Sequence, residues 1–130
     1  FSNHTGYGQW RGDVFTKPHI EQILAGLDER GVLQSQDAVL TGYIGDAALG
    51  RVVVDYIHRI KAQHPTAIYC CDPVMGDVGR GFFVRPEIPE FFRAVAVPAA
   101  DILVPNHFEL NYLSGGEHYL LADAISAIKT

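Results

Sequence analysis

The chain is poor in cysteine. It has two in 130 residues, and they are neighbours, Cys70 and Cys71. Adjacent cysteines cannot close an ordinary disulfide loop. No CxxC or Cys/His ligand spacing accompanies them, which argues against a disulfide framework and against a zinc site. They read as reduced, buried small residues of a cytoplasmic protein. Basic residues are also scarce: ten Lys and Arg stand against fifteen Asp and Glu, a formal net charge of −5. No basic cluster forms, so nucleic acid is not an expected partner. No apolar run approaches the ~20 residues that span a bilayer, so no membrane role is expected, and no signal-peptide pattern is visible. The GxxxxGK(S/T), GxGxxG, GxSxG and HExxH patterns are all missing. A phosphate site here would need a different construction.

What is present is a globular composition, 48% hydrophobic and 19% charged, enough for one modest domain. The chain opens on Phe1, not Met. It stops at Lys129-Thr130 with a helical pattern still running, as one part of a longer protein would. The stretch from Phe1 to Asp13 reads as a loop. Thr16-Lys17-Pro18 starts a helix whose apolar residues Ile20, Ile23, Leu24 and Leu27 recur at helical spacing up to Gly31. Asp37 to Thr41 reads as a buried strand. Asp46 can cap a helix lined by Leu49, Val52, Val53, Tyr56, Ile57 and Ile60, with Pro65 marking its end. Ala67 to Cys71 is a second buried strand, and Val74 to Arg85 a glycine-rich loop. A short helix at Glu90 to Val95, a third strand at Asp101 to Val104 and helical turns at Phe108 to Leu113 and from Ala122 follow. Apolar strands alternating with amphipathic helices imply an α/β fold with a parallel sheet covered on both faces. In such sheets ligands sit beyond the C-terminal strand ends.

Those ends carry Gly42-Tyr43, Asp72-Pro73 and Pro105-Asn106. Asp72, with Asp77 five residues on, could hold a hard cation such as Mg²⁺ through water, and the cation would neutralise phosphate oxygens. Asp before Pro is equally a common turn residue. Asn106 could be a helix N-cap, with Glu109 at N3 completing a capping box, and the two could face the same crevice as Asp72. His4 and Thr5 lie in a glycine-flanked loop, where they could bind a small polar ring or simply stabilise a turn.

At this point the segments resemble a known family. FSNHTGYG (Phe1 to Gly8) is similar to the substrate-loop signature of pyridoxal kinases. TGYIG (Thr41 to Gly45), CDPVMGD (Cys71 to Asp77) and ADILVPNHFEL (Ala100 to Leu110) match the same family in the same order. CDPVMGD is shared with other vitamin kinases of the ribokinase-like superfamily, and the FSNHT segment narrows the match. The resemblance implies a ribokinase-like three-layer sandwich with a mostly parallel sheet. It implies transfer of the γ-phosphoryl of ATP to the 5′-hydroxymethyl of pyridoxal in a cytoplasmic homodimer. His4, Thr5, Gly6 and Tyr43 would line the pyridoxal site. Asp72, Val104, Asn106 and Glu109 would border ATP. Asp72, Asp77 and Glu109 would serve the divalent metal.

The chain departs from that family in length. Members are about twice as long, with an N-terminal strand bearing a substrate-contacting Ser and a later Gly-Thr-Gly-Asp motif that supplies the catalytic base and the anion hole. Neither occurs here, so residues 1–130 are expected to be one partial domain. No catalytic base is assigned in it. Without base and anion hole the fragment alone is expected to be inactive, and its strands to expose apolar faces. A hydroxymethylpyrimidine kinase, or a non-catalytic kinase-like domain that binds a B6 vitamer, are the competing readings.

Overall fold

The structure, a computed structural model, describes residues 2–3, 8–9 and 11–128. β1 (Ser2–Asn3) and β2 (Arg11–Gly12) pair antiparallel, so the N-terminal stretch, expected to be all loop, contains a short ladder. α1 (Lys17–Glu29) starts with Pro in its first turn, where a missing N–H costs no helical bond. None of its residues is fully buried, and Ile23 and Leu27 of the expected apolar stripe are exposed. A 3₁₀ turn over Val32–Ser35 then leads into β3 (Ala38–Thr41).

α2 (Ala47–Gln63) is capped as expected. The Asp46 carboxylate accepts from the backbone N–H groups of Ala48 (2.9 Å) and Leu49 (3.2 Å). Its other oxygen accepts from Arg85 Nη1 at 2.9 Å. β4 (Ile68–Cys71) follows, then a small hairpin of β5 (Gly76–Asp77) and β6 (Gly81–Phe82) inside the expected loop. α3 (Ile88–Phe91) runs through a widened π turn, Phe92–Ala96, into α4 (Val97–Ala99). This is longer than the short helix expected. Pro98, which has no N–H to donate, lies just beyond the widened turn. β7 (Ile102–Leu103), α5 (His107–Ser114) and α6 (Leu121–Ala127) complete the order.

β3, β4 and β7 form a parallel sheet with β4 in the centre. Thr41 pairs with Cys71, and Cys71 with Leu103, so the three C-terminal ends lie side by side. Asp101 fastens the other end: its carboxylate accepts from the Tyr69 N–H (2.7 Å) and from Lys61 Nζ (2.6 Å). The core lies on one face of the sheet. There Tyr69 and Cys71 meet Val54 and Ile57 of α2, together with Met75, Ile88, Phe91, Phe92 and Ala96. The Tyr69 hydroxyl and Thr41 Oγ1 share a buried hydrogen bond of 2.8 Å. Val54, which the helical reading left out, is among the most deeply buried residues.

The opposite face is open among the described residues. Leu40 is 73% exposed, and Ile68, Ile102 and Val104 on the same side are also exposed. A sheet covered on both faces, expected from its apolar strands, is therefore realised here on one face only. The strands keep the composition of a two-sided core, and the expected exposure of apolar sheet surface is met.

Two stability tests follow from this packing. A Cβ at Gly50 would lie 2.5 Å from Cζ of the buried Phe91 ring. In the full-length protein Gly50→Ala should cost about 1–3 kcal/mol in urea unfolding; an unchanged midpoint would mean that α2 and α3 are not in contact there. Burial pushes the Tyr69 hydroxyl and the Cys71 thiol above their ordinary pKa ranges. Both groups are neutral when protonated, so the unfolded chain ionises first. Stability should be full below about pH 8.5, the ordinary thiol value, and fall as pH rises further, more steeply past about pH 10. Tyr69→Phe should remove the steeper part in unfolding curves taken across pH 7–11.

Candidate active site

The site grows from the parallel ladder. Beyond the strands the ladder continues for one more bond on each side of β4: the Asp72 N–H donates to the Thr41 carbonyl (2.9 Å) and the Val104 N–H to the Cys71 carbonyl (3.1 Å). Asp72 thus stands fixed at the C-terminal end of the central strand. It is half-buried, and its carboxylate accepts no hydrogen bond from the other described residues. The chain then turns at once, with the Val74 N–H donating to the Asp72 carbonyl at 2.9 Å.

The following segment is held by the N-terminus of α5. Asn106 and Glu109 form the expected capping box: Asn106 Oδ1 accepts from the Glu109 N–H (3.0 Å), and Glu109 Oε2 from the Asn106 N–H (2.8 Å). Each side chain also has a second partner that sequence reasoning did not find. Glu109 Oε1 accepts from the Met75 N–H at 2.9 Å, and Asn106 Nδ2 donates to the Gly76 carbonyl at 2.8 Å. Met75 and Glu109 are both buried, Glu109 to 2% exposure. Two side chains therefore satisfy consecutive backbone groups much as a neighbouring strand would.

An aromatic contact reinforces the clamp. Phe82 of β6 packs edge-on against Phe108 and Tyr112 of α5, with ring centroids 5.0 and 5.2 Å away. Phe108 also presses on Gly76, where a Cβ would lie 2.2 Å from Phe108 Cε1 and 2.8 Å from the Gly81 carbonyl oxygen. Gly79 and Gly81, at φ +83° and +69°, supply the left-handed turn of the hairpin. Their presence was the available sequence signal for β5 and β6.

The remaining expected residues fall in several places. Asp77, next to Gly76, is exposed, and its Oδ1 accepts from the Val78 N–H at 2.9 Å. Tyr43 is 59% exposed beyond β3, and Val104 is 49% exposed beyond β7. His4, Thr5 and Gly6 lie outside the described residues. The structure does not bring Asp72, Asp77 and Glu109 together as metal ligands: among the described residues no three His, Cys, Asp or Glu side chains form a group that could hold a metal ion. The donor set still suits Mg²⁺ carried by phosphates. That ion keeps several waters and takes one or two protein carboxylates, and Asp72 offers one that accepts no hydrogen bond from the other described residues.

A parallel sheet with helices, carrying its loops at the C-terminal edge, makes this an α/β protein, and the pyridoxal kinase structures it aligns with give it the ribokinase-like fold. The chain belongs to the phosphomethylpyrimidine kinase family, whose model matches residues 21–130. It is 56% identical over 127 residues to the pyridoxal kinase PdxY of Rubrobacter xylanophilus, covering 98% of this chain and 44% of that protein. It is 54% identical over 129 residues to the pyridoxal kinase PdxY of Granulibacter bethesdensis, covering 99% and 45%. Among solved structures, the pyridoxal kinase of Leishmania donovani in complex with ADP and pyridoxamine aligns with a TM-score of 0.89 at 34% identity, covering 98% of this chain and 44% of that one. The pyridoxal kinase of Entamoeba histolytica aligns with a TM-score of 0.89 at 28% identity, covering 97% and 44%. The chain thus spans somewhat less than half the length of these relatives.

Gly76→Ala in the full-length protein should push Phe108 and the hairpin apart and cost about 1–3 kcal/mol in urea unfolding. Wild-type stability in that variant would show that Phe108 does not seat against the hairpin.

Proposed function

We propose that these residues form the substrate-loop and phosphate side of a pyridoxal kinase, which transfers the γ-phosphoryl of ATP to the 5′-hydroxymethyl of pyridoxal. The observation that carries the reading is the sheet edge. Asp72, whose carboxylate accepts no hydrogen bond from the other described residues, and the Asn106/Glu109 helix start stand side by side at the C-terminal ends of neighbouring parallel strands. The relatives named above support the choice of substrate, as does the FSNHT segment.

In this reading His4, Thr5, Gly6 and Tyr43 bind pyridoxal. Asp72, Val104 and Asn106 border the ATP phosphates, with Glu109 behind them. Asp72 and Asp77 are the carboxylates for a divalent cation, and a cation bound there would neutralise phosphate oxygens. The residues themselves orient the phosphates and hold the loop still, the positional part of phosphoryl transfer. The base that the resemblance assigns to a Gly-Thr-Gly-Asp motif is not in this sequence, and the 130 residues alone are proposed to be inactive. A homodimer belongs to the same reading. So does a cytoplasmic location, supported by the free thiols of Cys70 and Cys71; no helix among the described residues is long and apolar enough to cross a membrane.

One observation favours a second reading, hydroxymethylpyrimidine kinase: the family match begins at residue 21 and leaves the FSNHT segment out. Phosphorylation of pyridoxal and of the pyrimidine alcohol by the full-length protein with Mg-ATP separates the two. We expect pyridoxal to be the preferred acceptor; preference for the pyrimidine would overturn the assignment. Asp72→Asn should lower kcat/KM for Mg-ATP by about 10–100-fold and leave the Kd for pyridoxal nearly unchanged. Equal loss of both in kinetics and binding titration would remove Asp72 from the metal-phosphate side.

A further inference from the structure

We propose that Glu109 is a positioning residue, whose carboxylate holds the loop from Asp72 to Asp77 in place and is not itself a cation ligand. The functional half of this proposal rests on the kinase reading above. The geometric half stands without it.

Both oxygens of Glu109 are already committed, Oε1 to the Met75 N–H and Oε2 to the Asn106 N–H. These two amides belong to segments 31 residues apart, from Met75 to Asn106, and the carboxylate joins them. The Glu109 side chain and Met75 are both buried, so turning the carboxylate towards a cation would strand the Met75 amide where water cannot replace it. Asn106 completes the grip by donating to the Gly76 carbonyl. The segment so gripped lies between the two aspartates: Asp77 directly follows Gly76, and Asp72 bonds through its carbonyl to the Val74 N–H. Glu109 therefore acts on phosphate chemistry through the backbone that carries Asp72 and Asp77.

The negative charge matters because both partners are donors. Gln at this position keeps one acceptor oxygen and turns an NH₂ group towards the other N–H. Hydrogen exchange followed by mass spectrometry, on the full-length protein without Mg²⁺ or nucleotide, reads the clamp directly. In Glu109→Gln, exchange of residues 74–82 should speed up roughly tenfold or more, while residues 50–57 of α2 exchange as in the wild type. In steady-state assays the KM for Mg-ATP should rise, and the Mg²⁺ concentration for half-maximal rate at saturating ATP should stay where it was.

Unchanged exchange in residues 74–82, with the half-maximal Mg²⁺ concentration raised roughly tenfold, would overturn the proposal and make Glu109 a metal ligand. Should Glu109→Gln fail to fold, Asn106→Ser gives the second reading. It retains a good N-cap but loses the amide NH₂ that reaches the Gly76 carbonyl, its hydroxyl being one bond shorter, and exchange in residues 74–82 should again rise, whereas wild-type exchange would overturn the proposal. A wild-type protein that does not phosphorylate pyridoxal, with faster exchange in the variant, would sink the kinase reading and leave the clamp intact.

Discussion

Two backbone amides from distant segments end on one buried carboxylate, and the geometry of the sheet edge depends on that convergence. Parallel strands place loops beside one another but do not fix them. β4 and β7 each end within a residue of their turn, so the loops after them would be free to splay. Glu109 and Asn106 prevent this by giving Met75 and Gly76 the partners that a fourth strand would otherwise give. The aromatic contact of Phe82 with Phe108 and Tyr112 closes the same joint from the apolar side. Hydrogen bonds set the register, and burial of Met75 and Glu109 keeps water from competing for the bond between them.

The rest of the molecule backs this edge from one side. α2 and the long α3–α4 segment cover the face that carries Tyr69 and Cys71, with Gly50 allowing Phe91 to approach the helix closely. The other face presents Leu40, Ile68, Ile102 and Val104. The chain spans less than half the length of its relatives, and a parallel sheet of this composition is stable when both faces are covered. Val104 lies on that open face and next to the proposed phosphate site, so whatever covers the sheet also shapes the site.

Much of this was legible in the sequence. Asp46 at a helix start, the Asn106–Glu109 spacing and the order of strands and helices follow from local chemistry: caps, periodicity and prolines act over a few residues. The errors have a different origin. The second partners of Asn106 and Glu109 lie about thirty residues upstream, and no local pattern encodes a contact at that distance. The β5–β6 hairpin was hidden because its glycines signal a turn while its paired segments are only two residues long. The apolar stripe of α1 is left partly exposed, because periodicity shows which residues share a face, not whether another element covers it. Val54 lies just beyond the Ile57 edge of the expected stripe, and the core reaches round the helix to cover it. The resemblance to pyridoxal kinases rests on four segments, of which FSNHTGYG is the most specific and lies largely outside the described residues.

The central claim is that the loop bearing Asp72 and Asp77 is set by Glu109 and that the cation, when present, is taken by the aspartates. A crystal structure of the full-length protein with Mg²⁺ and a non-hydrolysable ATP analogue tests it most directly. The account requires Glu109 to remain on the Met75 and Asn106 amides while Asp72 faces the cation, directly or through one water. A Glu109 carboxylate rotated into the cation's coordination shell, with the Met75 amide released, would contradict it.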